Sequence, residues 1–528
     1  MLKIRNDMKK SVLGAIACAA MTLATGSAQA ANTPFQQDVS AAIDRGIEFL
    51  ANQGVYNNPS SEGNQGANGL AMQALLEKRA SGVPTDPPQG YVGASALDQG
   101  RLRTAAAFIL DRVNETGFFA YVDGQWMFAL SGYALTNGPD KGVLAPGNAD
   151  YQTIKQAMDT MVDRTLFNQR KATNGYPNPA NQGYWCYTNA GCEDSSTTQF
   201  AAAGLHAAKT FYTSNKSGDG GPFADAARAA LIDAALARTM TAYALNGANT
   251  GSDNVNCSVV SATERGHGYN APSSGYKPSL QQTASGIYIQ LFGGSNVNTP
   301  AVQNYMEWVR NHYRWQDLDN LGNSWASISW GYYLWSSFKA MELIRQTGVA
   351  PLVGNLGPDS FGKLAGVAGC NVRQQNKVPA SYARVANFGA GPVGYYSAEV
   401  AGQYFDYAHQ IISTQCYDGS LPIGGNDGKF GCAVAGAPSP TSGWQGGTDA
   451  AHQSYLLLVL QRSVGNVIQK CDVDGDGDVD TADLNAIRLR IGQLPEASDP
   501  RDANGDGKIN IADVRACSQR CTKANCAP

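Results

Sequence analysis

Between Asp472 and Asp483 the sequence places six aspartates in twelve residues: Asp472, Asp474, Asp476, Asp478, Asp480 and Asp483, interleaved with glycine, valine, threonine and alanine. Such a loop repels itself in neutral water unless a cation neutralises it. Thirty positions on, "DANGDGKINIAD" repeats the pattern from Asp502 to Asp513. Both stretches carry oxygen side chains at loop positions 1, 3, 5, 9 and 12 and glycine at 6. That spacing lets a loop wrap a hard divalent cation such as Ca2+. In the first loop the predicted ligands are the side chains of Asp472, Asp474, Asp476, Asp480 and Asp483 and the carbonyl of Asp478, with Gly477 at the sharp turn. In the second they are Asp502, Asn504, Asp506, Asn510 and Asp513 and the carbonyl of Lys508, with Gly507 at the turn. The expectation is two bound Ca2+ ions.

The segment after each loop must hold it in place. Leu484, Ile487 and Ile491 recur thirty positions later as Val514, Cys517 and Cys521, and spacing i, i+3, i+7 marks one face of a helix. Two loop-helix units with matching apolar faces are therefore predicted. Cys471, Cys517, Cys521 and Cys526 can pair in three ways, and Cys471 bonded to one of the helix cysteines would tie the units together. Residues 471–521 resemble a type I dockerin, whose duplicated calcium loops end in Asp, as here at Asp483 and Asp513. The resemblance implies docking onto a cohesin-like domain or other surface scaffold protein, and a companion domain that degrades polysaccharide. The loops depart from that family at positions 10 and 11, often Ser/Thr there and Thr481-Ala482 and Ile511-Ala512 here, so a standard cohesin partner does not follow. The preceding "SVGNVIQK" is short and lacks the Pro/Ser/Thr character of a tether. A purely stabilising C-terminal clasp is the alternative.

The larger part of the chain carries a second set of reactive residues. Asp194 precedes "SSTTQF", Asp449 and His452 lie in "GGTDAAHQ", and "ERGHGY" supplies Glu264, Arg265, His267 and Tyr269. An Arg to offset charge beside a His or Tyr base would suit proton removal next to the carboxylate of an acidic glycan. Two carboxylates across a cleft, Asp194 and Asp449, would suit glycoside hydrolysis. Each residue also has a structural reading: Asp194 and Asp449 as helix N-caps, His452 as a packing residue. Tyr184, Trp185, Tyr187, Trp315, Trp325, Trp330, Trp335 and Trp444 could stack on sugar rings or fill a core.

These candidates sit on predicted helices. Helical periodicity recurs in six pairs: 41–53 with 68–80, 102–113 with 126–135, 154–167 with 197–211, 230–245 with 280–292, 302–313 with 327–344, and 404–415 with 447–461. The second member of each pair is the more apolar and small-residue-rich, as an inner helix packed on both sides would be. Repeated helix pairs mean a solenoid or a closed ring. The predicted fold is all-α, an α6/α6 toroid whose inner helix ends line a polar central funnel, followed by the small duplicated calcium module. "YVDGQW" (Tyr121 to Trp126), "QCYDGSL" (Gln415 to Leu421), the stretch from Gly183 to Leu205 and that from Gly443 to Leu460 resemble the repeats of the squalene-cyclase and prenyltransferase toroids. The cyclases' Asp-x-Asp-Asp acid has no counterpart, "DLDN" at Asp317 to Asn320 being nearest. Five histidines and oxidised cysteines argue against the prenyltransferases' zinc.

The address fits. Lys3, Arg5, Lys9 and Lys10 precede the apolar run "SVLGAIACAAMTLATG" and a small-residue cleavage site at Ala28 and Ala30, a secretory signal peptide over residues 1–30. Its removal takes away four bases and one acid, moving the net charge from −4 to −7, which disfavours a nucleic-acid partner. No later run reaches the ~18 apolar residues of a membrane span. Eleven cysteines less Cys18 leave ten, an even number in an oxidising compartment, with Cys186–Cys192 and Cys416–Cys432 as local disulfides. The expected organisation is leader 1–30, toroid 31–465 and calcium module 466–528. The expected function is polysaccharide binding or degradation by an exported protein, with a non-catalytic surface-assembly role as the alternative.

Overall fold

The computed structural model describes residues 32–57, 67–79, 88–247, 261–270, 277–312, 330–346, 349–360, 377–382, 394–413, 415, 450–464, 471, 473, 479–495, 500–503, 508–518, 521 and 526. The predicted leader, Asp449, Cys416 and Cys432, and "DLDN" fall outside them.

The described chain is predominantly helical. Thirteen helices form its larger part: α1 (Pro34–Asn52), α2 (Asn68–Leu76), α3 (Ala96–Arg112), α4 (Ala120–Leu135), the single turn α5 (Lys141–Leu144), α6 (Ile154–Phe167), α7 (Ser195–Thr213), α8 (Ala226–Asn246), α9 (Leu280–Phe292), α10 (Pro300–Asn311), α11 (Trp330–Gln346), α12 (Gln403–Ser413) and α13 (Ala450–Leu460). The sheet among the described residues is the antiparallel pair β1 (Ser217–Gly218) and β2 (Gly221–Pro222). None of these helices is long and apolar enough to cross a membrane.

Local chemistry sets the helix starts. Thr33 and Gln36 form a capping box at α1, with Pro34 in its first turn, and Thr153 and Gln156 repeat the box at α6. Asp194, Asp225 and Ser279 cap α7, α8 and α9. In α1, Phe35, Val39, Ile43, Ile47 and Leu50 line one buried face, whereas nearly every residue of α4, α9 and α13 is buried. Amphipathic and fully apolar helices alternate along the chain for that reason.

Packing follows the same alternation. Helix α2 packs on α4, α4 on α7, α7 on α9, α9 on α11, α11 on α13, and α13 back on α2. The amphipathic helices lie against this cycle: α1 on α2 and α13, α3 on α2 and α4, α6 on α4 and α7, α8 on α7 and α9, α10 on α9, and α12 on α13. Helices α4 and α7 approach most closely through glycine. A Cβ on Gly124 would overlap the Phe200 carbonyl, and one on Gly204 would lie 2.8 Å from the Gly124 Cα.

Inside the cycle the sequence predicts a polar funnel; the described side chains there include both large aromatics and a polar group, Gln199 of α7, whose Oε1 accepts from Ser336 of α11 and Tyr288 of α9. Phe200 of α7 meets Tyr121 of α4 at 4.8 Å between ring centroids, Tyr332 and Trp335 of α11 at 6.3 and 5.9 Å, and Tyr455 of α13 at 6.3 Å. Rings of this size fill the space between facing helices at this level.

A second, separate cluster comprises Cys471, Val479, Leu484, Ile487, Ala503, Ile509, Val514 and Cys517. It joins α14 (Thr481–Arg488) to α15 (Ile511–Ser518), and a Cys471–Cys517 disulfide crosses it. Ile491, expected on the buried face, lies beyond the end of α14 and is 45% exposed. The helix stops one turn earlier than the apolar spacing suggests.

Candidate functional site

The N-termini of α4, α7 and α9 meet at Asp194. Its Oδ1 accepts the backbone N–H of Ser196 (2.7 Å) and of Thr197 (3.0 Å) and the Ser196 hydroxyl (2.5 Å). Single β-bridges join Asp194 to Trp185 on one side and to Asn270 on the other, so two incoming segments converge on the α7 cap. The Ala120 N–H, where α4 begins, donates to the Tyr187 carbonyl at 2.9 Å, and the Tyr121 hydroxyl donates to Ser196 Oγ at 2.7 Å. Ser195 donates its N–H to the Tyr269 carbonyl (2.9 Å) and its hydroxyl to Gln282 Oε1 in the first turn of α9 (2.6 Å).

Over this cap the hydroxyls of Tyr187 and Tyr269 lie 2.5 Å apart. Asp194, Ser196 and Tyr121 are buried, while Tyr187 and Tyr269 are half-buried and form the solvent side of the cluster. Burial raises the Asp194 carboxyl above its usual range, opposed by hydrogen bonds from Ser196, Tyr269 and the backbone. Burial, then the charge of Asp194, pushes Tyr187 up to about 12 and Tyr269 higher still. At neutral pH both phenols are protonated, so they act as hydrogen-bond donors and not as bases. A Cys186–Cys192 disulfide, with Cα atoms 4.9 Å apart, closes the loop that carries Tyr187.

Of the predicted "RGHGY" group, Tyr269 alone reaches Asp194. His267 is buried between Tyr184 and Tyr243, its ring 4.3 Å from that of Tyr243. Its Nδ1 donates to the Gly268 carbonyl (2.7 Å), so its Nε2 accepts from the Tyr184 hydroxyl (2.9 Å). Burial lowers it to about 4, and with both nitrogens engaged it is placed as a structural group. Arg265 turns to the Ala262 and Glu264 carbonyls at 2.8 and 2.7 Å, and its backbone N–H bonds to Asn304 of α10. Glu264 is buried against Asn311 (2.6 Å) and His312 (3.1 Å). His452 is buried in α13. Tyr184, Trp185 and Trp335 are core residues. Trp315, Trp325, Trp444 and the Trp330 side chain lie outside the described residues. The hydroxyls of Tyr121 and Ser196 are site members that sequence reasoning missed. The short "CYTNAGC" loop beside Asp194 was the available signal for a hydroxyl role of Tyr187.

In the two loops predicted to bind calcium, Asp480, Asp483, Asp502, Lys508, Asn510 and Asp513 are described, whereas Asp472, Asp474, Asp476, Asp478, Asn504 and Asp506 are not. The described ends match in chemistry. Asp480 N–H donates to Asp483 Oδ2 and Asn510 N–H to Asp513 Oδ2, both at 2.8 Å. Ala482 N–H donates to Asp480 Oδ1 (2.6 Å) and Ala512 N–H to Asn510 Oδ1 (2.7 Å). Asp483 and Asp513 are wholly buried carboxylates, a donor type that fits Ca2+. Among the described residues, no three His, Cys, Asp or Glu side chains are grouped to hold a metal.

No family model matches the chain, and no curated protein or solved structure matches it either.

Proposed function

We propose that this protein is an exported α/α toroid of the squalene-cyclase-like type, closed by a dockerin-like calcium module, and that it binds polysaccharide at the Asp194–Tyr187–Tyr269 cluster. The closed contact cycle of α2, α4, α7, α9, α11 and α13, with the amphipathic helices outside it, supports the toroid. The thirty-residue repeat and the matching ends of its two loops support the module.

The observation that carries the glycan reading is the pair of half-buried tyrosines backed by a buried carboxylate at the meeting point of three helix N-termini. Aromatic faces stack on the apolar C–H surface of a sugar, and protonated phenols beside an acceptor carboxylate read its hydroxyls. Calcium bound in the two loops would supply the charge that lets the aspartates pack together. In that module Ile511 is 54% exposed, whereas the equivalent Thr481 hydroxyl donates to the Cys526 carbonyl, which favours the second loop as the face for a surface scaffold.

The test is a calcium-supplemented screen of the secreted protein against neutral and acidic glycans, with Tyr187→Phe and Tyr269→Phe alongside. Saturable binding that weakens about tenfold in the variants, the worth of one or two hydrogen bonds, supports the proposal. Binding to no glycan overturns it. A second reading, cleavage with Asp194 as proton donor, is favoured by the raised carboxyl of Asp194. It requires released products that Asp194→Asn abolishes.

A further inference from the structure

The C-terminal module exposes aliphatic side chains on the turn that follows α14. Leu489 is 82% exposed, Ile491 45% and Leu494 71%, and Ile511, which opens α15, is 54% exposed. Backbone bonds hold the turn against the approach to α15: the Gly492 N–H donates to the Ile509 carbonyl at 2.9 Å, and the Ile509 N–H to the Gln493 carbonyl at 3.3 Å. Gly492 takes the left-handed conformation the turn requires, at φ 88°. Apolar side chains scattered singly over a surface are ordinary, but neighbouring ones mark a contact face.

The charge around these side chains has one sign. Arg488, Arg490 and Arg515 are exposed, and Arg515 stands one helical turn beyond Ile511. Arg488 and Arg490 donate to neutral oxygens, those of Asn485 and Gln493, both at 2.8 Å. Every carboxylate among the described residues of the module, at Asp480, Asp483, Asp502 and Asp513, is buried. The face is therefore aliphatic and cationic together. It also lacks the anchors on which protein interfaces concentrate their affinity, since residues 466–528 contain no Phe, Tyr or Trp.

We propose that this face is a peripheral contact site for an anionic lipid surface. Leu489, Ile491, Leu494 and Ile511 enter the boundary between headgroups and acyl chains. Arg488, Arg490 and Arg515 lay their apolar stems along it and keep their guanidinium groups level with the lipid phosphates. Charge complementarity selects the anionic lipid, and the aliphatic side chains need no shaped pocket in the partner. The contact is shallow and reversible, in keeping with described helices of which none can cross a membrane. It goes beyond the scaffold role of the module: it shares Ile511 with that face but is centred on the turn after α14, and either can fail alone.

The full-length protein, in calcium-containing buffer, is co-sedimented with vesicles of phosphatidylcholine alone and of phosphatidylcholine with an equal part of phosphatidylglycerol, at low and at high salt. The expected result is association with the mixed vesicles that salt weakens, and little with phosphatidylcholine alone. Arg488→Gln with Arg490→Gln should lower the affinity about fivefold per charge removed. Leu489→Ser with Leu494→Ser should lower it about tenfold. All four side chains are exposed, so both double variants should keep the melting transition of the wild type. No association with the mixed vesicles, or association that survives both pairs of substitutions, overturns the proposal. Retention on immobilised polyglutamate without vesicle binding also overturns it, and assigns the face to an acidic protein.

Discussion

The ring of Phe200 on α7 lies 5.9 Å from that of Trp335 on α11, across the helix cycle and not along it. Trp335 in turn stacks on Tyr455 of α13 at 5.5 Å, so three helices share one buried aromatic cluster. Truncating its central member removes contacts to each of them. Phe200→Ala is expected to cost about 3–5 kcal/mol of unfolding free energy, transfer plus cavity. Denaturant melts of the two proteins check it, and a loss below about 1 kcal/mol would mean that the cluster collapses around the vacancy.

Burial at the C-terminal end of α2 makes stability depend on pH. Glu77 is buried, and desolvation raises it from 4.5 to about 7, opposed by hydrogen bonds from Gln73 and Ser463. Between those values the folded chain holds a proton that the unfolded chain has released. Stability therefore falls as pH rises from 4.5 to about 7, and is flat in this contribution above and below. The size is on the order of 3 kcal/mol, at 1.36 kcal/mol per unit. Glu77→Gln should remove that slope, so that the variant gains on the wild type as pH rises. Parallel pH profiles from urea unfolding would contradict this.

Each of the twelve predicted helical segments overlaps a helix, because small and apolar residues at a period of 3.6 report burial directly. Asp194 was legible as a cap for the same local reason. The "RGHGY" constellation was not legible. Arg265, His267 and Tyr269 alternate along an irregular, extended segment, where four residues span about 13 Å. That distance carries them past three different neighbours: α10, the Tyr184–Tyr243 pair, and the α7 cap. Spacing could show that they share a direction, but their partners are distant in sequence, as Tyr184 and Tyr187 are, 83 and 82 positions away. Trp335 failed as a sugar platform because sequence records ring size and not which side of a helix faces the centre.

That separation predicts opposite phenotypes for two residues of one segment. Tyr269→Phe deletes a hydroxyl at a half-buried surface and should weaken glycan binding about tenfold with little change in melting temperature. His267→Ala removes a buried ring that stacks on Tyr243 and accepts from Tyr184. It should lower unfolding free energy by about 2–4 kcal/mol while leaving the pH dependence of binding between about 5 and 8 unchanged. Paired calorimetric melts and binding isotherms separate them. A binding loss in His267→Ala at full stability would return that residue to the site.

The Cys471–Cys517 bond closes 46 residues and joins the start of the first aspartate-rich loop to the helix after the second. Loop-closure entropy of that length corresponds to about 4 kcal/mol. Cys471→Ala with Cys517→Ala should lower the stability of the C-terminal module by that order and leave the melt of the larger part in place. A single shifted transition for the whole chain would show instead that the two clusters unfold together.

Calcium should act on the same module more strongly than on any other part of the chain. Asp483 and Asp513 are wholly buried carboxylates that receive backbone N–H groups from their own loops, and each stands at position 12, where a loop of this spacing would present oxygen to a cation. A divalent ion that binds the folded module alone stabilises it by about 2.7 kcal/mol at a hundredfold excess over its dissociation constant. Chelation is expected to lower the module's transition by several degrees, roughly 4–8 °C per kcal/mol for a domain of this size. Asp476→Ala with Asp506→Ala, which strip position 5 from both loops, should remove that response while the larger part melts unchanged. Calorimetry of the full chain with and without chelator decides it: a module transition indifferent to calcium in the wild type would mean that the repeat serves as a clasp held by its disulfide and apolar face alone.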